Sequence, residues 1–330
     1  MAKALCVGTL VIDIINDPID HLLDPGEGIL TRIGIHPGGC AFNVAVDTMQ
    51  LCSGDLTVGC LGAVGEDLLA DSFRVQAETH GVVPLYEQFS GVGSSKNVIL
   101  NVAGEERRHH YDAGANPLLS TKFVSDSMET FRPDLIYLGE TSSLDGIRDD
   151  VAGIARQAHD SGCLVFLDAV VGGADTFGTL VEACQYADVF HANDVEAMAF
   201  TNTESTQDAV RELCRRGVRL PVVTSGGGAL SWVHGDQLYT APAFSVEAVD
   251  GTGAGDALIA GLIVSALDHR SGAWLHDEND ATSAILFAAA AGARAVTKIG
   301  CTAGVMRADA LSLVREQGPK ITSRIAITRL

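Results

Sequence analysis

The chain has 330 residues, 47% of them hydrophobic, and a formal net charge of −20. That length and composition suit one large α/β domain, and the acidity argues against nucleic acid or anionic membrane as partner, since both need a basic surface. No apolar run reaches the roughly 18 residues of a spanning helix.

The first strand covers "ALCVG", and the broken apolar stretch around it does not read as a signal peptide. A polar, Pro/Gly-rich excursion runs from Asp13 to Pro37. In "GGCAFNVAVDTMQLCSG", Ala41, Val44, Ala45 and Thr48 recur at helical spacing, with Gly54 as a stop. "LTVGCLGAVG" reads as a strand and "EDLLADSFRVQAETHG" as a helix. Residues 92–112 hold a hairpin, "KNVILNV" and "RRHHYD" around "AGEE".

From Thr121 the rhythm is regular. The helices "KFVSDSMETF", "IRDDVAGIARQAHDSG", "TLVEACQYA" and "TQDAVRELCRRG" precede the strands "DLIYLG", "CLVFLDAV", "DVFHAN" and "PVVTS". Continuous apolar strands alternating with helices imply a mostly parallel sheet covered on both faces. "GALSWVHGDQLYTAP" alternates as a hairpin, and "GAGDALIAGLIVSALDH" and "ATSAILFAAAAGARAV" are long apolar helices. No repeat or linker divides the chain, which predicts a single domain over 1–330. The stretches 13–37 and 92–112, outside the rhythm, would pair into a small β lid.

The eight cysteines form no C-x-x-C pair, so neither a zinc site nor a redox motif is indicated; the expectation is that most are buried thiols, in a reducing cytoplasm. Adjacent strand residues point to opposite faces, so His109 and His110 do not share a metal site. "GIHPGGCAF" lacks the Lys-Ser/Thr of a Walker A loop. "GTGAGD" lacks the third glycine of a dinucleotide fingerprint and comes too late in the chain. The latter feeds directly into a helix. Gly253, Ala254 and Gly255 would bring unpaired first-turn N–H groups to an anion, with the macrodipole adding to the attraction. Asp256 at that end reads equally well as a helix cap or as a functional carboxylate. Asn193 and Glu196 likewise read as a capping box as well as a site.

Six motifs in order resemble the ribokinase (PfkB) family of sugar kinases: "GTLVID" at 8–13, "GGCAFN" at 38–43, "DAGAN" at 112–116, "NDVE" at 193–196, "VTSGGGAL" at 223–230 and "DGTGAGD" at 250–256. The resemblance covers almost the whole chain, roughly residues 3–315. The resemblance implies a ribokinase-like fold, a three-layer αβα domain with the small β lid. It also implies transfer of the ATP γ-phosphoryl group to a sugar's primary hydroxyl. Asp256 would be the catalytic base, with the N–H groups of Gly253, Ala254, Gly255 and Asp256 holding the phosphoryl oxygens. Asp13, Gly38, Gly39, Asn43 and Glu140 would bind the sugar. Lys96 or Arg107 on the lid would meet an acidic substrate or be solvated.

Thr224, Gly226 and Gly228 would line the nucleotide cleft. Asn193 and Glu196 would act through water on Mg²⁺. Asp250, Thr252 and Gly300 resemble a monovalent-cation site, and whether K⁺ is required stays open. Gly251 departs from the usual Thr, and Ala288 and Ala289 stand where relatives often place an Asn near adenine. Ribose or a similar pentose or ketohexose is the favoured acceptor. A nucleoside kinase, a 2-keto-3-deoxygluconate-type sugar-acid kinase and a catalytically silent sugar-binding regulator are the rival readings. Lid pairing in a homodimer is expected by resemblance.

Overall fold

The computed structural model describes residues 1–105, 108–170, 178–268 and 277–330. Arg107, the Glu106 end of the expected turn and His269 at the end of one expected helix lie outside them.

A central ten-stranded sheet organises the chain. Its parallel part contains β1 (Ala2–Val7), β4 (Leu56–Gly65), β5 (Val82–Phe89), β8 (Leu135–Gly139), β9 (Leu164–Asp168), β10 (Val189–Asn193) and β11 (Leu220–Thr224). An antiparallel edge adds β12 (Ala229–His234), β13 (Gln237–Pro242) and β14 (Ala326–Arg329). The order is β14-β13-β12-β11-β10-β9-β8-β1-β4-β5. A second sheet, ordered β3-β2-β6-β7, is made from β2 (Val11–Asn16), β3 (Ile33–Gly38), β6 (Lys96–Leu100) and β7 (Arg108–Asp112). Thus the excursion after the first strand is not irregular throughout: it begins and ends in strands.

Helices cover both faces of the large sheet. On one face lie α1 (Cys40–Leu51), α2 (Leu68–Thr79), α9 (Ala254–Asp268), α10 (Glu278–Ala295) and α11 (Arg307–Thr322). The other carries α3 (Thr121–Phe131), α4 (Asp145–Arg148), α5 (Val151–Asp160), α6 (Gly178–Ala183), α7 (Asp194–Thr201) and α8 (Thr206–Arg215). This is the three-layer arrangement that continuous apolar strands require. α9 is apolar all round and buried from Ala257 to Leu267, wedged between α1 and α10.

Several elements differ from the sequence reading. The helix expected over 147–162 breaks at Asp149–Asp150 into α4 and α5. The first helix ends at Leu51 with Cys52 as its cap, before Gly54. β5 contains Pro84, which hides a strand signal, yet it is an edge strand, where a missing N–H is tolerated. α7 and α11 also escaped the helix–strand rhythm. Among the described residues no helix is long and apolar enough to cross a membrane.

Candidate active site

The carboxyl ends of the parallel strands, where open α/β sheets gather their ligands, meet the N-terminus of α9. Gly253 caps that helix, its carbonyl accepting from Ala257 N at 2.9 Å. Its φ is +83°, and a Cβ there would lie 2.6 Å from the Cys301 carbonyl oxygen. Only glycine makes this turn. The next N–H groups, of Ala254, Gly255 and Asp256, have no intrahelical acceptor by helix geometry.

Asp256 is partly buried in the first turn of α9. Asn43, in the first turn of α1, donates from Nδ2 to Asp256 Oδ2 at 2.9 Å. Burial pushes the Asp256 carboxyl up to about 7; the Asn43 bond opposes the rise, and the Asp168 and Glu140 carboxylates add to it.

The small sheet closes over this point. Asp13 on β2 pairs with His36 on β3 and Asn97 on β6, so the three share a face. Asn97 Nδ2 donates to Asp13 Oδ1 at 3.0 Å. Burial pushes the Asp13 carboxyl up, against the pull of the Asn97 bond and of His109 and His36. A Cβ on Gly38 would stand 3.2 Å from Asp13 Oδ2 and 3.7 Å from Asn43 Oδ1, so glycine keeps the space between them open. Gly39, with φ +88°, passes so close to the Thr9 carbonyl that a Cβ would lie 2.4 Å from its oxygen.

Glu140 follows β8 in a left-handed conformation, φ +48°, one of the strained positions that cluster at functional sites. Thr9 Oγ1 donates to its Oε2 at 2.6 Å and Ser143 Oγ to its Oε1 at 3.2 Å. Burial raises its carboxyl even so. Each oxygen keeps further acceptor capacity.

Lys96 is a correction. It pairs with Ile12 and Asp112, one residue out of step with Asp13, so alternation puts it on the opposite face of the small sheet. There it forms an ion pair with Asp112 at 2.5 Å.

On the other side of the α9 N-terminus is a cleft of about 470 Å³. Thr224, Gly226, Leu230, Phe244, Leu258 and Ala289 are among its lining residues, together with Ala254 and Gly255 of the α9 N-terminus. Gly228 is absent from the lining; its N–H closes a turn on the Ser225 carbonyl at 2.8 Å. Ala288 is also off the surface, fully buried beneath Gly261.

Asn193 and Glu196 form a complete capping box on α7, with bonds of 2.9 and 2.8 Å. Asp250 Oδ1 accepts from Thr252 N at 3.1 Å and from Thr252 Oγ1 at 2.8 Å. Gly300, at φ +96°, lies in the loop before Cys301. Among the described residues no group of three or more His, Cys, Asp or Glu is placed to hold a metal ion.

Four polar residues at the site escaped the sequence reading: Thr9, Asn97, Asp168 and His191. Asp168 ends β9 and His191 is paired with it on β10. His191 Nδ1 meets Asp168 Oδ1 at 2.8 Å. Burial disfavours the imidazolium, but the Asp168 carboxylate outweighs this and the His191 pKa is raised.

An apolar cleft that ends on a glycine-flanked helix N-terminus, with a polar pocket beyond it, suits a phosphotransferase that joins a nucleotide to a small polar acceptor. The chain belongs to the pfkB carbohydrate kinase family, which it matches over residues 1–308. It is 32% identical over 305 residues to Fructokinase-2 of Oryza sativa subsp. japonica, covering 89% of this chain and 88% of that protein. It is 30% identical over 306 residues to the ATP-dependent ribose-1-phosphate kinase of Halopiger xanaduensis, covering 89% and 91%. In structure it resembles the fructokinase of Xylella fastidiosa with bound ATP, with a TM-score of 0.82 at 23% identity over 96% and 99% of the two chains. It also resembles a chain from E. coli in complex with ATP and Mg²⁺, with a TM-score of 0.80 at 16% identity over 96% and 100%. The fold is ribokinase-like, and the protein is a carbohydrate kinase.

Proposed function

We propose that this kinase transfers the γ-phosphoryl group of ATP to a primary hydroxyl of a ribose-like pentose or a ketohexose. The observation that carries the reading is Asp256: a carboxyl raised to about 7 at the head of α9, one hydrogen bond from Asn43 and next to the free first-turn N–H groups. A general base works best with a pKa near the operating pH.

Asp256 takes the proton of the sugar hydroxyl, whose oxygen bonds to the γ-phosphorus as the bond to the β-phosphate oxygen breaks. ADP and the sugar phosphate leave. The N–H groups of Gly253, Ala254, Gly255 and Asp256 hold the charge on the transferring oxygens. Asp13 and Asn43 hold sugar hydroxyls, Gly38 and Gly39 let the backbone approach, and Asn97 orients Asp13. Glu140 closes the sugar pocket, with its two oxygens steadied by Thr9 and Ser143.

The mostly apolar cleft takes the base and ribose of ATP, with Thr224 and Gly226 in its lining. Mg²⁺ keeps several of its waters and binds mainly through phosphates. Asn193 and Glu196 would hold those waters, and the ion would neutralise charge between the β- and γ-phosphates.

A phosphorylated pentose is the second reading. His36 and His109 lie on the same face of the small sheet as Asp13, and one 30% identical relative is named a ribose-1-phosphate kinase. The opposite face exposes Ile33, Ile35 and Val98, at 64%, 59% and 38%. That apolar surface supports pairing of two lids in a homodimer. All eight cysteines are free thiols, in keeping with a cytoplasmic setting.

A coupled ADP-release assay over ribose, deoxyribose, fructose, ribose 1-phosphate, 2-keto-3-deoxygluconate and nucleosides tests the reading. Saturable turnover on a pentose or ketohexose is expected. Turnover confined to nucleosides, or to none of the panel despite sugar binding, would overturn it.

A further inference from the structure

β8, β9, β10 and β11 lie side by side, and one face of this row is apolar almost to its end. Tyr137, Phe166, Val189 and Val222 on that face belong to the core beneath α1, α9 and α10. Two residues further on, alternation puts Asp168, His191 and Thr224 on the same face. These three and the Tyr137 hydroxyl form one hydrogen-bonded chain across the four strands. Tyr137 Oη donates to Asp168 Oδ2 at 3.0 Å, Asp168 Oδ1 meets His191 Nδ1 at 2.8 Å, and His191 Nε2 meets Thr224 Oγ1 at 3.4 Å.

The chain starts in the core and ends at the cleft, because Thr224 is a lining residue. The imidazole also touches the anion loop: a Cβ on Gly255 would stand 3.1 Å from His191 Cε1. One ring therefore backs two residues that line the cleft, Thr224 and Gly255. Asp168 and His191 are 5% and 4% exposed. Burying such a pair stabilises a fold less than apolar side chains of similar volume would, so packing alone does not account for it.

We propose that His191 is a positioning residue for the nucleotide. It takes up one hydrogen-bonding direction of the Thr224 hydroxyl, which leaves the remaining directions aimed into the cleft. It also backs the Gly255 turn against the phosphates. Asp168, held by Tyr137, fixes the ring. The inference rests on the cleft being the ATP site.

A double-mutant cycle tests it, read as MgADP affinity and as the KM for ATP. His191→Asn keeps a donor near Asp168 but loses the reach to Thr224, and Thr224→Val removes the hydroxyl. Each is expected to weaken nucleotide binding about tenfold, and the double variant little more than either, since coupled residues are not additive. The sugar KM should stay within about twofold. His191→Gln, whose longer side chain again reaches Thr224, should recover much of the affinity. A loss of thermal stability alone would not produce this pattern.

Unchanged nucleotide affinity in His191→Asn, additive losses, or equal rises in both KM values would overturn the proposal. Should His191→Asn fail to fold, the cycle of His191→Gln with Thr224→Val decides: tight, unaltered binding in Thr224→Val refutes it. Filling the cleft with Ala289→Phe separates this outcome from the underlying reading. If that variant binds MgADP as well as the wild type, it is the location of the ATP site that is wrong.

Discussion

Replacing Asn43 with leucine should move the acid limb of the pH–rate profile to higher pH. Asn43 Nδ2 donates to Asp256 Oδ2 at 2.9 Å, and that bond favours the ionised carboxylate. Hydrogen bonds to charged groups contribute about 1.5–3 kcal/mol, and one pKa unit is about 1.36 kcal/mol. Asp256 is only partly buried, so the lower end applies, and the expected rise is about one unit. The wild-type carboxyl titrates near 7. At about pH 6.5 roughly a quarter of it is ionised, against about 3% in the variant, so the variant should fall about eightfold further below its own plateau. The assay is kcat/KM for the sugar at saturating ATP over about pH 5.5–9.5, because that ratio reports groups of the ATP-loaded enzyme before the sugar binds. A weaker sugar KM is expected as well, but a uniform loss would scale the curve without shifting it. An acid limb that stays in place, or moves to lower pH, would refute the link between Asn43 and the base.

Three further outcomes follow from the same geometry. Gly253→Ala should lose at least about 100-fold in kcat and about 2 kcal/mol or more in stability: φ +83° is costly for a side chain, and its Cβ would lie 2.6 Å from the Cys301 carbonyl oxygen. Urea titration checks the stability, and wild-type turnover in this variant would remove the loop from the reaction. Asp256→Asn should gain stability relative to wild type as pH rises from about 4 to about 7. In that window the unfolded Asp256 has released its proton while the folded one, raised from 3.8 to about 7, still holds it, so wild-type stability falls; the difference is at most about 4 kcal/mol. A gap between the two unfolding midpoints that does not widen from pH 5 to pH 8 would contradict the raised pKa. Ile35→Lys puts a charge on the exposed outer face of the small sheet and should yield a monomer by light scattering; an unchanged dimer, or a wild type already monomeric, would exclude that face as the interface.

Much of this was legible in the chain because its signals are local. "GTGAGD" asks for glycine at a turn and a carboxylate just inside a helix, and the structure places Gly253 and Asp256 in those positions. What was not legible depends on register. Whether Lys96 or Asn97 shares a face with Asp13 is decided by the pairing of β2 with β6, and a shift of one residue exchanges them. Asp168 and His191 are adjacent only because β9 and β10 pair in parallel; each alone is a polar residue at the end of an apolar run. The Asn193–Glu196 box was readable as a cap and is one, and nothing in the spacing distinguishes a cap that also holds water around an ion. β5 hid behind Pro84, whose cost vanishes at a sheet edge.

The central claim is that Asp256 removes the proton of the acceptor hydroxyl. Rapid-quench single turnover with labelled ATP, comparing wild type and Asp256→Asn under saturating sugar and Mg²⁺, measures that step apart from binding. The account predicts that the variant folds, binds MgADP and sugar within about threefold of wild type, and transfers the γ-phosphoryl group slower by at least about 10²-fold, the lower range for a positioned general base. Transfer within a few-fold of the wild-type rate would contradict it.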